Sequence, residues 1–151
     1  MKKILLACLL CMGIMVGCGG PKDETYDITV NNTGKQYSTA TEFYQAYSSS
    51  MLSIGNDLTK CSQNIGSNAD VSALNKCKKG VADELQTLVD LQGPTDKADK
   101  EKTMDDLIVD YNNDIIQSIS SDMKTSDFSD FQTKISDWQQ KMAAALVAYQ
   151  K

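Results

Sequence analysis

The chain has 151 residues, a formal net charge of −5 and hydrophobic side chains at 41% of its positions, a size and balance that suit one domain with one core. All 15 of its cations are lysine, and it contains no histidine. Those absences remove the imidazole base of Ser-His-Asp and Cys-His hydrolases, the histidine metal ligand and the guanidinium fork that grips phosphate; the acidity argues against nucleic acid as a partner.

Lys2 and Lys3 precede a run from Ile4 to Val16 built only of apolar, small or sulfur-bearing side chains. It falls short of the roughly 20 residues a helix needs to span a bilayer, so residues 1–17 read as a signal peptide. Cys8, Cys11 and Cys18 could each mark its end. Cleavage at Cys8 would leave too short an apolar segment, and Cys11 follows bulky Leu10. Met15-Val16-Gly17-Cys18 closes the full run with a small residue before the cut. These residues resemble the lipobox of bacterial prolipoproteins, with Met15 where leucine is usual. The resemblance covers residues 1 to 18. It implies a diacylglycerol thioether on Cys18, cleavage before it, and lipid anchoring on the extracytoplasmic face of a bacterial cell membrane, or of the outer membrane in a two-membraned envelope. Two or more acyl chains make such anchoring stable. Loss of residues 1–17 removes two lysines and no acid, which leaves a charge of −7.

Residues 18–38 are expected to hold the lipidated cysteine and a tether. Gly19 to Glu24 has the Gly, Pro and charge content of a flexible linker. Tyr26-Asp27-Ile28-Thr29-Val30 then alternates apolar and polar side chains and leads into Asn31-Asn32-Thr33-Gly34, which predicts a short strand or hairpin. An isolated hairpin is marginal, so it must lie against the main domain or stay an extended tether.

From Thr39 the period becomes helical, and residues 39–151 read as one helical domain. Phe43, Tyr47, Met51, Ile54, Leu58, Cys61 and Ile65 form a first stripe, with Thr39 and Glu42 as a capping box at its start. Val71, Leu74, Cys77, Val81, Leu85, Leu88 and Leu91 form a second, which stops at Gly93-Pro94. Met104, Leu107, Tyr111, Ile115 and Ile119 form a third. Phe128, Phe131, Ile135, Trp138, Met142, Ala145 and Tyr149 form a fourth, with Ser126 and Asp127 as its caps. Short connections between helices of matched length predict an all-α fold, an antiparallel up-and-down four-helix bundle. The alternative is a three-helix bundle with the third segment frayed, because residues 95–103 are almost wholly polar. If the tether enters the first helix beside the membrane, the turns at Gly66–Ala69 and Lys124–Ser126 point away from it and could meet a partner.

Cys61 and Cys77 stand at equal distances from residue 69, in the turn between the first two helices, and each lies on its helix's apolar stripe. In an antiparallel hairpin they would face each other at one height, and an oxidising compartment would favour a disulfide over two buried thiols or a redox pair. Gly55 and Gly80 fall inside helices, which predicts either close helix approach or simple tolerance on an exposed face.

Candidate chemistry is sparse. Asp106, Asp110 and Asp114 share a helix face and could bridge a metal ion, but no Asp-x-Asp-x-Asp-Gly loop accompanies them, so a solvated acidic face is expected. Lys76, Lys78 and Lys79 read as a solubilising face, and Phe43, Tyr47, Tyr111, Phe128, Phe131 and Trp138 as core rather than the wall of a ligand cavity. No cofactor motif and no catalytic constellation are present. The leading expectation is a non-enzymatic, membrane-anchored envelope lipoprotein that acts as a protein-interaction or structural module, its partner an envelope or extracellular protein. The second is a small-ligand or metal-ion binding lipoprotein.

Overall fold

A computed structural model describes residues 21–65, 69–124 and 126–151. The predicted signal peptide and Cys18 lie outside the described residues, as do residues 66–68 of the first predicted turn and Thr125 of the second. Among the described residues the fold is all-helical, with no strand; a single parallel bridge joins Gln36 to Gln92.

Helix α1 spans Ala40–Cys61 and runs into a 3₁₀ turn, Ser62–Asn64. Half of the expected capping box forms at its start: the Thr39 hydroxyl accepts the Glu42 N–H at 3.3 Å, but the Glu42 carboxylate accepts that hydroxyl at 3.1 Å instead of the Thr39 N–H. Helix α2 spans Val71–Val89, and Asp70 caps it by accepting the Ala73 N–H at 3.0 Å. Helix α3 spans Ala98–Tyr111 and continues as a π-helical turn over Asn112–Ile116. The polar stretch that suggested fraying is ordered as a 3₁₀ turn, Thr95–Lys97, and the first turn of α3. Four long helices therefore form, and the three-helix alternative falls. Helix α4 spans Asp127–Gln150. The cap expected at its start differs: the Asp127 carboxylate accepts the Lys124 N–H at 2.8 Å, folding back on the preceding turn, and Ser126 makes no capping bond.

α1 packs chiefly on α2 and α3 on α4, while α4 returns to α1. The core joins Phe43, Tyr47 and Ile54 of α1 to Leu74, Val81, Leu85 and Leu88 of α2, and to Met104, Ile108, Ile115, Met142 and Tyr149. Aromatic packing closes the end where α1 begins and α4 finishes, with the Phe43 ring 5.0 Å from that of Tyr149 and 5.5 Å from that of Tyr47. α2 is buried on a second face as well, through Asn75, Lys78, Ala82 and Val89. That face had no signature in the apolar period, because two of its members are polar.

The second face of α2 meets residues 22–37, which are not a free tether. They form a strap along the seam between α2 and the segment from α3 to Met123. The Asn75 side chain donates to the Lys22 carbonyl at 2.6 Å and accepts the Glu24 N–H at 2.9 Å. Asp23 accepts the Ser121 N–H and hydroxyl at 3.1 and 3.0 Å. Asn112 donates to the Tyr26 carbonyl at 2.8 Å, and Gln86 brackets Thr29 with bonds of 2.9 and 2.6 Å. The strap then pairs with the chain after α2, Gly34 N–H to the Asp90 carbonyl at 2.8 Å and Tyr37 N–H to the Gln92 carbonyl at 2.7 Å. A Cβ on Gly34 would strike the Asp90 backbone, so this crossing requires glycine.

The alternation from Tyr26 to Val30 is thus real in its consequence: Ile28 is buried, Tyr26 and Val30 are half-buried against the core, and Asp27 and Thr29 are exposed. The strand itself does not form. The backbone is satisfied by side-chain amides of α2 and of the π-turn region instead of by a second strand.

The strap also moves the point at which the chain first meets the body. It meets the body at Asn75, near the start of α2, and at Ser120 and Ser121, beyond the π-turn, and reaches the start of α1 only after running the length of the seam. The described chain thus comes in at the end of the body where α1 finishes and α2 begins.

Candidate functional site

Trp138 fixes the α3–α4 pair. Its indole N–H donates to the Leu107 carbonyl at 2.6 Å, and its ring lies 4.3 Å from that of Tyr111. On the other side of α4, α1 and α4 meet only over part of their length, and a cleft of about 510 Å³ opens between them. α1 supplies Ser48, Met51, Leu52 and Gly55; α4 supplies Ile135, Trp138, Gln139, Met142, Ala143 and Leu146. Both sets repeat at helical spacing, so each helix turns a stripe toward the same gap. No charged residue lines it. Leu52 is 74% exposed on its rim, and Val147, one position beyond Leu146, is 53% exposed. Gly55 opens onto the gap with nothing within 4 Å of where a Cβ would stand. Gly80 is equally open, so neither glycine serves close helix approach.

The sequence-predicted residues fall in different places. The Cys61 and Cys77 sulfurs lie 2.11 Å apart, at disulfide-bonding distance, with Cα atoms separated by 5.5 Å. Asp106, Asp110 and Asp114 do not converge. Asp106 pairs with Lys102 at 2.7 Å, whereas Asp110 and Asp114 border a shallow α3–α4 depression beside Lys134 and Lys141. Asp114 sits in the π-turn, whose wider turn carries it out of the register of the other two. Among the described residues no three acidic or cysteine side chains are grouped to hold a metal ion.

The solubilising reading of the lysine cluster fails at its centre. Lys78 is 1% exposed, its Nζ donates to the Ile119 carbonyl at 2.8 Å, and burial lowers its pKa against the opposing pull of Asp23. It is a fixed link between α2 and the end of the third segment. Lys79 pairs with Asp83 at 2.7 Å on the exposed face. Of the six aromatics read as core, Phe43, Tyr47 and Tyr111 are buried, Phe131 and Trp138 are half-buried, and Phe128 stands outside the core cluster.

The cleft was not predicted. Met51 and Ile54 of the first stripe, Tyr111 of the third and Ile135, Trp138 and Met142 of the fourth line it, so Tyr111 and Trp138, read as core, also form part of a cleft wall; Leu52, Ala143 and Leu146 lie beside the stripes. Among the described residues no helix is long and apolar enough to cross a membrane. No protein-family model matches the chain, and no curated protein or solved structure matches it either, so the reading of its function rests on this geometry.

Proposed function

We propose that this chain is a lipid-anchored, extracytoplasmic interaction module of a bacterial envelope, without enzymatic activity, whose α1/α4 cleft seats an amphipathic helix of another envelope protein. The helices would run up and down in an antiparallel bundle, and the diacylglyceryl group would sit on Cys18. Lys22 lies four positions beyond Cys18, a reach of at most about 14 Å when extended. The end of the domain bearing Asn75 and Ser121 would therefore face the headgroups, and the cleft would open sideways along the body.

The observation that carries the reading is the pair of uncharged helical stripes with no described segment between them. Ser48 to Gly55 and Ile135 to Leu146 form the two walls of a groove, about 10 and about 16 Å long at the rise of an α-helix. A third helix completes such a groove by presenting apolar side chains at i, i+3, i+4 and i+7.

The test places a photoreactive benzoylphenylalanine at Leu52 in the full-length, tethered protein in its native bacterium, with Thr87 on exposed α2 as the control position. Adducts at position 52 that map to a peptide with helical apolar spacing, and that vanish on Ala143→Asp, support the reading. Equal adducts at positions 52 and 87, adducts to lipid only, or adducts to extended polar peptides overturn it. The anchor is tested separately: radioactive fatty acid should label the wild type and not Cys18→Ala.

A further inference from the structure

A second cleft, of about 450 Å³, lies between the strap and the start of α3. Its walls include Val30 of the strap, Pro94 and Ala98, and its acidic side holds Glu101, Asp105 and Asp106. Two of these acids are already committed. The Glu101 carboxylate accepts the Gly93 N–H at 2.9 Å and the Tyr149 hydroxyl at 3.3 Å. Asp106 is exposed and paired with Lys102. Asp105 is different: it is 4% exposed, and its buried Oδ1 has no hydrogen-bond partner among the described residues. A buried acceptor left unpaired costs about 1–3 kcal/mol, so a side chain in this state lining a cleft calls for a donor from outside.

The donor's character follows from the surroundings. One uncommitted carboxylate offers one negative charge, and the acids here are not grouped to hold a metal ion. The remaining walls are apolar or amide except for the Thr95 hydroxyl and Lys102, whose ammonium is held by Asp106 at 2.7 Å. We propose that this cleft binds a small organic ammonium ion, a primary amine whose charged head meets Asp105 and whose hydrocarbon stem lies against Val30, Pro94 and Ala98. A glycine at position 93 preserves the acidic wall, because a Cβ there would collide with the Glu101 carboxylate and the Tyr149 hydroxyl.

Binding should depend on pH. Burial, reinforced by Glu101, Asp106 and Asp90 and opposed by Lys102, pushes the Asp105 carboxyl up to about 7. From α1 the facing group is the Tyr47 hydroxyl, itself held well above its usual value by burial and by Asp105. From the strap, the cleft receives only uncharged Val30, Asn32 and Gln36. The ionised carboxylate is the form that attracts an ammonium head, so affinity rises through neutrality.

The test titrates n-butylammonium chloride into the folded protein at pH 8, with sodium chloride and n-butanol as controls, and follows backbone amide shifts and thermal midpoint. A saturable response in residues 30–36 and 92–106, with a raised midpoint, is expected, weakening about tenfold at pH 6. Asp105→Asn should abolish it, and Ala98→Phe, which fills the cleft without touching the carboxyl, should abolish it too. An equal response to n-butanol, an unchanged response in Asp105→Asn, no saturable shift, or stronger stabilisation by millimolar Ca²⁺ than by the amine overturns the proposal.

Discussion

The two long seams of this bundle have been treated oppositely. Between α2 and α3 the helices touch little, and the gap is filled by residues 22–37, with Ile28 buried and the backbone held by Asn75, Gln86 and Asn112. Between α1 and α4 the contact is also partial, but no described segment enters, and Met51, Leu52, Trp138 and Leu146 line an open cleft. The faces differ too: at the first seam α2 presents Asn75 and Lys78 beside Ala82 and Val89, and at the second both helices present uncharged, mostly apolar side chains. The difference teaches that the first seam is part of the fold, whereas the second is left open by the described residues, which is what the proposed binding of a partner helix requires. Mutations should therefore act on stability at one seam and on association at the other.

The largest effect should come from Ile28→Asp, which places an unpaired charge in the sealed seam and should cost about 4 kcal/mol or release the strap. Leu52→Asp, at the open seam, should cost under about 0.5 kcal/mol, since the side chain is already exposed. Urea denaturation compares the two directly, and equal costs would break the contrast. Next comes the cysteine pair, which staples α1 to α2 near the end where the strap begins. Replacing both Cys61 and Cys77 by serine opens a loop whose closure is worth about 3 kcal/mol, and the loss should appear in thermal melts of the oxidised protein alone.

A smaller effect sharpens the picture on the strap side. Asp105 has its carboxyl raised from 3.8 to about 7, mainly by burial. Between those pH values the folded protein keeps a proton that the unfolded chain has released, so this group makes stability fall as pH rises from about 4 to about 7. Asp105→Asn should remove that slope and leave the variant about 2 kcal/mol more stable at pH 8, after allowance for water reaching part of the carboxyl. Denaturant midpoints of both proteins from pH 5 to pH 8 provide the check, and parallel curves would show that the carboxyl is not buried in solution.

How much of this could be read in advance follows from the range of each interaction. The four helices were legible because their period is local, and the Cys61–Cys77 approach because two equal distances from one turn fix it. The face of the extended segment was legible in the alternation of Tyr26, Ile28 and Val30, but its seat was not. Its partners Asn75 and Asn112 lie 51 and 86 residues away along the chain, and an asparagine in a helix carries no sign of what it will bind. Lys78 was misread for the same reason: a lysine between two others looks solvated until a carbonyl 41 residues away claims it. The open cleft left only a faint mark, apolar Leu52, Leu146 and Val147 beside the stripes, and a sequence records such residues without saying whether a neighbour covers them. The chain's point of entry was missed as well, since a free tether would meet the body first at the start of α1, whereas the strap meets it first at Asn75 and Ser121.

The smallest predicted effect separates the two seams most cleanly, because it changes association while helping the fold. Gly55 lies inside α1, and alanine there should stabilise the helix by up to about 1 kcal/mol. Gly80 lies inside α2 in an equally open position, so Gly80→Ala should give a similar gain. The methyl groups differ only in where they go. At position 55 it enters the α1/α4 cleft and takes room from an incoming helix; at position 80 it faces a shallow surface beside Cys77 and Glu84, away from that cleft. Both variants should therefore melt slightly higher than the wild type, and only Gly55→Ala should lower the yield of photo-adducts at Leu52. A matched fall in both would mean that stiffening the helices, rather than narrowing the cleft, governs association, and the open seam would lose its claim to be the binding surface.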